Sequence, residues 1–91
     1  QGVVTLSKIR IQGGVQVAVG DKVIQTTNDY SLPIKEAGDM VSVMNGQIGR
    51  VKAFTPAAIE VVFDGMDNVT VCYDERSAEK LSLAYALSVH K

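Results

Sequence analysis

NGQIGRVKAFTPAAIEVVFDG, residues 45–65, reads as a strand pair set between two turn signals. Its period is two. Val51 and Ala53 fall on one side and Arg50 and Lys52 on the other, while Ile59, Val61 and Phe63 alternate with Glu60 and Val62. Successive side chains of extended backbone point to opposite faces, so this spacing buries one row and leaves the other in solvent. Asn45-Gly46 tolerates positive φ at both central positions, which predicts a type I′ hairpin turn. Gly49, inside a strand, predicts a bulge or a close approach of another backbone. Asp64-Gly65 opens the second turn, and Val69, Val71 and Tyr73 form the next inward row.

The same period extends in both directions. Val4, Leu6, Ile9 and Ile11 precede Gly13-Gly14, and Val15, Val17 and Val19 follow it, which predicts an N-terminal hairpin over residues 1–18. Residues 22–27 are a β-branched strand. Residues 28–43 hold Pro33, Gly38 and three acids and read as a long loop. Residues 74–80 predict one helical turn, too short to stand alone. Residues 81–89 predict a last strand, with Leu81, Leu83, Tyr85 and Leu87 on one face and Ser82, Ala84, Ala86 and Ser88 on the other. That second face is small and mostly uncharged. Strands of this kind lie covered on both sides, as in the parallel sheet of an α/β domain. The expected fold is all-β: a small antiparallel barrel over residues 19–80, then a strand over 81–91 that leads into a neighbouring domain.

Composition narrows the function. With 91 residues the chain makes one small domain, and its single cysteine, Cys72, leaves no internal disulfide or cysteine-rich zinc site. No apolar run is long enough for a membrane helix, and the cysteine usage points to a reducing, cytoplasmic setting. Net charge is −1, so nothing global attracts a polyanion. The distribution is uneven, however. Lys22, Arg50 and Lys52 occupy the Gly-rich middle, whereas residues 60–80 carry Glu60, Asp64, Asp67, Asp74, Glu75 and Glu79 against Arg76 and Lys80. Nucleic acid is expected on the first region and not on the second. Catalysis is not expected from this chain: its one histidine, His90, has no cysteine or carboxylate spaced for a triad, and no metal site is expected. Cys72 alternates with Val71 and Tyr73 and is expected on the outer face, inert.

GDKVIQTTNDY (residues 20–30), NGQIGRV (45–51), the FDG turn (63–65) and LAYALSVHK (83–91) occur in the order and approximate spacing seen in one family. With them the chain resembles the SH3-like insertion domain of RecD/TraA-type superfamily-one DNA helicases, the exodeoxyribonuclease V alpha-like enzymes, over roughly residues 19–91. The AYALSVHK ending is the specific element. Two departures stand out: residues 28–45 are longer, as if KEAGDMVS were inserted, and Ser88 stands where threonine is common. The resemblance implies an SH3-like barrel inserted into the second RecA-like motor domain, with the last strand returning to that motor. It implies an accessory module excised from an ATP-dependent helicase of repair, recombination or conjugative transfer. ATP and Mg belong to the motor. No G-x-x-x-x-G-K-[ST] phosphate loop occurs in this chain, so it has no means of hydrolysing ATP by itself. The implied partners are single-stranded DNA, the motor domain of the same parent chain and further proteins, with no membrane.

A translocating helicase grips phosphates and stacks bases without reading sequence. Lys22, Arg50 and Lys52 supply positive charge. Asn28, Asn45 and Gln47 supply amide hydrogen bonds, the N–H groups of Asn45 and Gly46 are placed to meet a phosphate, and Tyr30 offers a ring for stacking. His90 and Lys91 match the start of the motor motif and are expected near bound single strand. Two other readings remain open. One is an SH3-like protein-interaction module, its groove shaped by residues 28–43 with Tyr30 and Tyr73. The other is a KOW-like RNA-binding barrel, which rests on NG-x-x-G-x-V alone and does not account for AYALSVHK.

Overall fold

The computed structural model describes residues 5–35, 39–66 and 68–84. These form nine strands and two 3-10 turns: β1 (Arg10–Ile11), β2 (Val15–Gln16), β3 (Lys22–Gln25), β4 (Asp29–Pro33), β5 (Met40–Val43), β6 (Ile48–Phe54), β7 (Ile59–Phe63), β8 (Val71–Tyr73) and β9 (Leu81–Leu83). Five strands make one curled antiparallel sheet in the order β8-β7-β6-β3-β9. The β1–β2 and β4–β5 pairs form two small ribbons. A bridge between Ile34 and Val71, with Lys35 N–H donating to Thr70 O at 2.9 Å, fastens the β4–β5 ribbon to the β8 edge. The architecture is all-β, a half-barrel.

Alternation explains the curl. Ile59, Val61 and Phe63 of β7 are fully buried, as are Val23 of β3, Val71 and Tyr73 of β8, and Leu81 of β9. Leu32 and Val43 of the ribbon, and Ile9, Ile11 and Val17 of the N-terminal segment, close the same core. Phe63 and Tyr73 pack with ring centroids 6.4 Å apart. Burial pushes the Tyr73 hydroxyl far above its ordinary pKa, with the charge of Asp29 adding to the effect. The neutral hydroxyl donates to Gln25 Oε1 at 2.8 Å, and Gln25 Nε2 donates to Thr27 O at 2.6 Å. The core thus holds its polar atoms in a closed chain of bonds, which removes the cost of burying them.

The expected N-terminal hairpin is present, with β1 and β2 joined by the 3-10 turn Gln12–Gly14. The expected helical turn is the 3-10 turn Ser77–Lys80. Gly49 is a close approach: a Cβ there would lie 2.7 Å from Val62 O and 3.0 Å from Phe63 Cα. The register irregularity of this pair falls further along, between Val51 and Ala53.

Two expectations are corrected. Residues 28–43 are not a long loop, because β4 and β5 pair across them. Leu32 and Val43 face the core there, and the irregularity between Asp29 and Leu32 breaks the simple period that would have marked the strand. Asn45-Gly46 is not a type I′ hairpin. Gly46 has φ 99° and among the described residues no non-glycine has positive φ, Asn45 included, which is the pattern of a type II turn. Nor do the flanking strands pair with each other: β5 belongs to the ribbon and β6 to the main sheet. Of the expected strand over residues 81–89, Leu81–Leu83 pairs antiparallel with β3 as the end of the main sheet. Residues 85–91 lie outside the described residues.

Candidate nucleic-acid interface

Val23 and Val51 point into the core, so their neighbours Lys22, Arg50 and Lys52 point out. The register sets Lys22 directly opposite Arg50 on adjacent antiparallel strands. Like charges so placed repel and destabilise the pair. No carboxylate relieves them: among the described residues the ion pairs are Lys35–Glu60 and Lys80–Asp29. Asp21, next to Lys22 in sequence, is committed elsewhere, its Oδ2 accepting the Ala18 N–H at 2.9 Å. Arg50 Nη1 donates to Gly20 O at 3.4 Å, its one hydrogen bond among the described residues. Lys52 falls at the irregularity between Val51 and Ala53, where β6 has an extra residue against β7, and it too is exposed. Half-buried Ile24, Ile48 and Val62 share this outer face. Exposed Asp64, whose N–H donates to Ile48 O at 2.9 Å, ends the face away from the cations.

A second group of expected site residues meets at the corner before β6. Asn28 bridges it: Oδ1 accepts the Asn45 N–H at 2.7 Å, and Nδ2 donates to the Tyr30 hydroxyl at 3.2 Å. Gly46 N–H donates to Gln25 O at 2.8 Å. The expected use of the Asn45 and Gly46 N–H groups to meet a phosphate is therefore corrected, since both bonds are already made within the chain. Gln47 is also committed, with Oε1 accepting the Met44 N–H at 2.7 Å and Nε2 reaching Met66 Sδ at 3.6 Å. What remains available is the Asn45 side chain and the Tyr30 ring, which is 66% exposed. Gln47 immediately precedes β6, and the three-residue step from it to Arg50 spans about 10 Å of extended backbone at most. His90 and Lys91 lie outside the described residues.

Two carboxylates away from the cations, Asp29 and Asp74, are committed to the fold. Lys80 Nζ lies 2.7 Å from Asp29 Oδ2, and Ser31 N–H donates to Asp29 Oδ1 at 3.1 Å. Burial raises the Asp29 pKa, but the Lys80 hydrogen bond, the Ser31 N–H and the Lys80 charge together outweigh it and hold the carboxyl below its ordinary value. The Asp74 carboxyl is held low by the backbone N–H and hydroxyl of Ser77, then by the Arg76 N–H. Tyr73 is buried and lines no groove, which corrects its expected place in a peptide-binding surface. Cys72 is half-buried, between the inward Val71 and Tyr73.

One feature leaves no local mark in the sequence. An open groove of about 620 Å³ runs between the N-terminal hairpin and the segment before β9, with Lys8 and Arg10 on one side and Glu75 and Glu79 on the other. Opposed charges cancel there, so it does not rival the outer face of β3 and β6 for a polyanion. Among the described residues no group of three His, Cys, Asp or Glu side chains is placed to hold a metal ion, and no helix is long and apolar enough to cross a membrane. No family model, curated protein or solved structure matches the chain.

Proposed function

We propose that this chain is an SH3-like accessory module of a RecD/TraA-type DNA helicase, contacting single-stranded DNA while a separate motor hydrolyses ATP with Mg. One observation carries the DNA-binding part: Lys22 faces Arg50 across β3 and β6, Lys52 stands nearby, and among the described residues no carboxylate partners them. A fold keeps such a repulsive cluster at a cost, and a bound phosphodiester relieves it. The segments GDKVIQTTNDY, NGQIGRV and LAYALSVHK support the helicase part, and a cytoplasmic setting goes with it. Phosphates rest on the three cations, and the half-buried Ile24, Ile48 and Val62 offer the sugars and bases an apolar bed. The chain itself does no chemistry in this reading.

Titration of a labelled oligothymidylate into the protein at low salt tests the reading. The expected result is weak, salt-sensitive binding with shifted amide resonances at Lys22, Arg50 and Lys52. Binding that is absent at millimolar protein overturns it. A second reading, a protein-interaction module, draws on the exposure of Tyr30, Met40 and Met44, at 66%, 66% and 38%. Capture of proteins that survives nuclease treatment, together with silence toward oligonucleotides, favours that alternative.

A further inference from the structure

Tyr30 is an exposed ring with a tethered hydroxyl. Its chain position follows the irregularity that begins after Asp29 in β4, a feature that turns a side chain away from the regular pleat. The Asp29–Val43 register sets Tyr30 beside Ser42, whose Oγ donates to Tyr30 O at 3.4 Å. Asn28 holds the other end: its Nδ2 donates to the Tyr30 hydroxyl while its Oδ1 anchors the Asn45 N–H. Met44, next to Asn45, is 38% exposed. An isolated exposed tyrosine explores several rotamers and pays to stop. This one is 66% exposed and restrained through its hydroxyl, which is the preorganisation a stacking platform requires.

We infer that Tyr30 is a platform for an unpaired nucleobase and that Asn28 is its positioning residue, acting through the tyrosine hydroxyl and not by touching nucleic acid. The inference rests on the DNA-binding reading and adds a second, chemically different contact to it. The cations on β3 and β6 hold phosphates, and their contribution fades with salt. Stacking on Tyr30 involves no counterion and does not.

The test uses the whole 91-residue chain, which has three tyrosines and no tryptophan, so tyrosine emission is readable directly. Oligothymidylate is expected to quench that emission in the parent protein, and Tyr30→Phe is expected to lose the quench. Tyr30→Ala is expected to weaken affinity about tenfold while leaving the slope of log K against log salt unchanged. Tyr30→Phe keeps the Asn28–Asn45 bond and removes only the tether, so a loss of a few fold in this variant isolates positioning from turn stability. Asn28→Ala is expected to match it, and to add nothing in the Tyr30→Ala background. If Tyr30→Ala binds like the parent while Lys22→Ala/Arg50→Ala shows a shallower salt dependence, the platform is refuted and the DNA reading stands. If the parent protein binds no oligonucleotide at all, both fall together.

Discussion

Lys80 and Lys22 are both lysines of the main sheet's surroundings, yet the molecule uses them in opposite ways. Lys80 lies 2.7 Å from Asp29, a residue 51 positions away in sequence, and the pair joins the β4–β5 ribbon to the turn before β9. Lys22 faces Arg50 and has no carboxylate within reach among the described residues. One region uses its charges to hold distant segments together. The other sets Lys22 against Arg50, with Lys52 two residues further along the same strand. The difference teaches that the type of a charged residue says little about its purpose until its partners are known. A paired charge belongs to the fold, whereas a repelling cluster kept on a stiff sheet is available to a ligand.

The strongest way to break the comparison is to disturb the backbone that carries the cations. Gly49→Ala drives a Cβ to 2.7 Å from Val62 O, and backbone on both sides must shift. A loss of about 1–3 kcal/mol in urea unfolding is expected. Unchanged stability would show that β6 and β7 are not as closely packed as described. Next in size is Asp29→Ala, which removes the partner of Lys80 and the acceptor for Ser31 N–H. Lys80 is 39% exposed and Asp29 only 12%, so a cost of about 1 kcal/mol is expected, with oligonucleotide affinity unaltered. Lys22→Ala should do the reverse, weakening binding at constant or slightly raised stability. Equal effects of the two substitutions on both measurements would erase the distinction between the regions.

Acid sharpens the same contrast. The Asp29 and Asp74 carboxyls are held below the ordinary value of 3.8 in the folded chain. Their contribution to stability is therefore complete above that value and disappears as pH falls through the lowered folded values. The thermal midpoint should change little due to these groups from neutrality down to about pH 5, then fall below about pH 4. Asp74→Asn should make that fall shallower. A fall of identical steepness in Asp74→Asn and the parent would remove Asp74 from the account. The smallest effect belongs to Lys35→Ala. The Lys35–Glu60 contact is 3.4 Å long and the lysine is 59% exposed, so less than about 0.5 kcal/mol is expected in urea unfolding. A cost above that of Asp29→Ala would reverse the ranking of the two ion pairs.

Much of the sheet was readable as alternation. Ile59, Val61 and Phe63 are the buried row that their spacing predicts, and Val71 and Tyr73 continue it. The β4–β5 ribbon was not, for two physical reasons. Its strands are short, and the irregularity after Asp29 throws Tyr30 out of phase with Leu32. The cations were legible as residue types, but their juxtaposition depends on the antiparallel register of β3 and β6, which local spacing does not supply. The polar corner misled in a different way. Asn28, Asn45 and Gln47 look like free amides in sequence; in the fold Asn28 accepts from Asn45, 17 residues away, and Gln47 reaches Met66, 19 residues away, so local spacing does not show these bonds.

The most direct test of the central claim is the salt dependence of oligothymidylate binding in the parent and in Lys22→Ala/Arg50→Ala. Three cations on a single strand predict a slope of log K against log salt of about −2, falling to about −0.7 when only Lys52 remains. A parent slope near zero, or one that the double substitution leaves unchanged, would contradict the assignment of this face to the phosphate backbone.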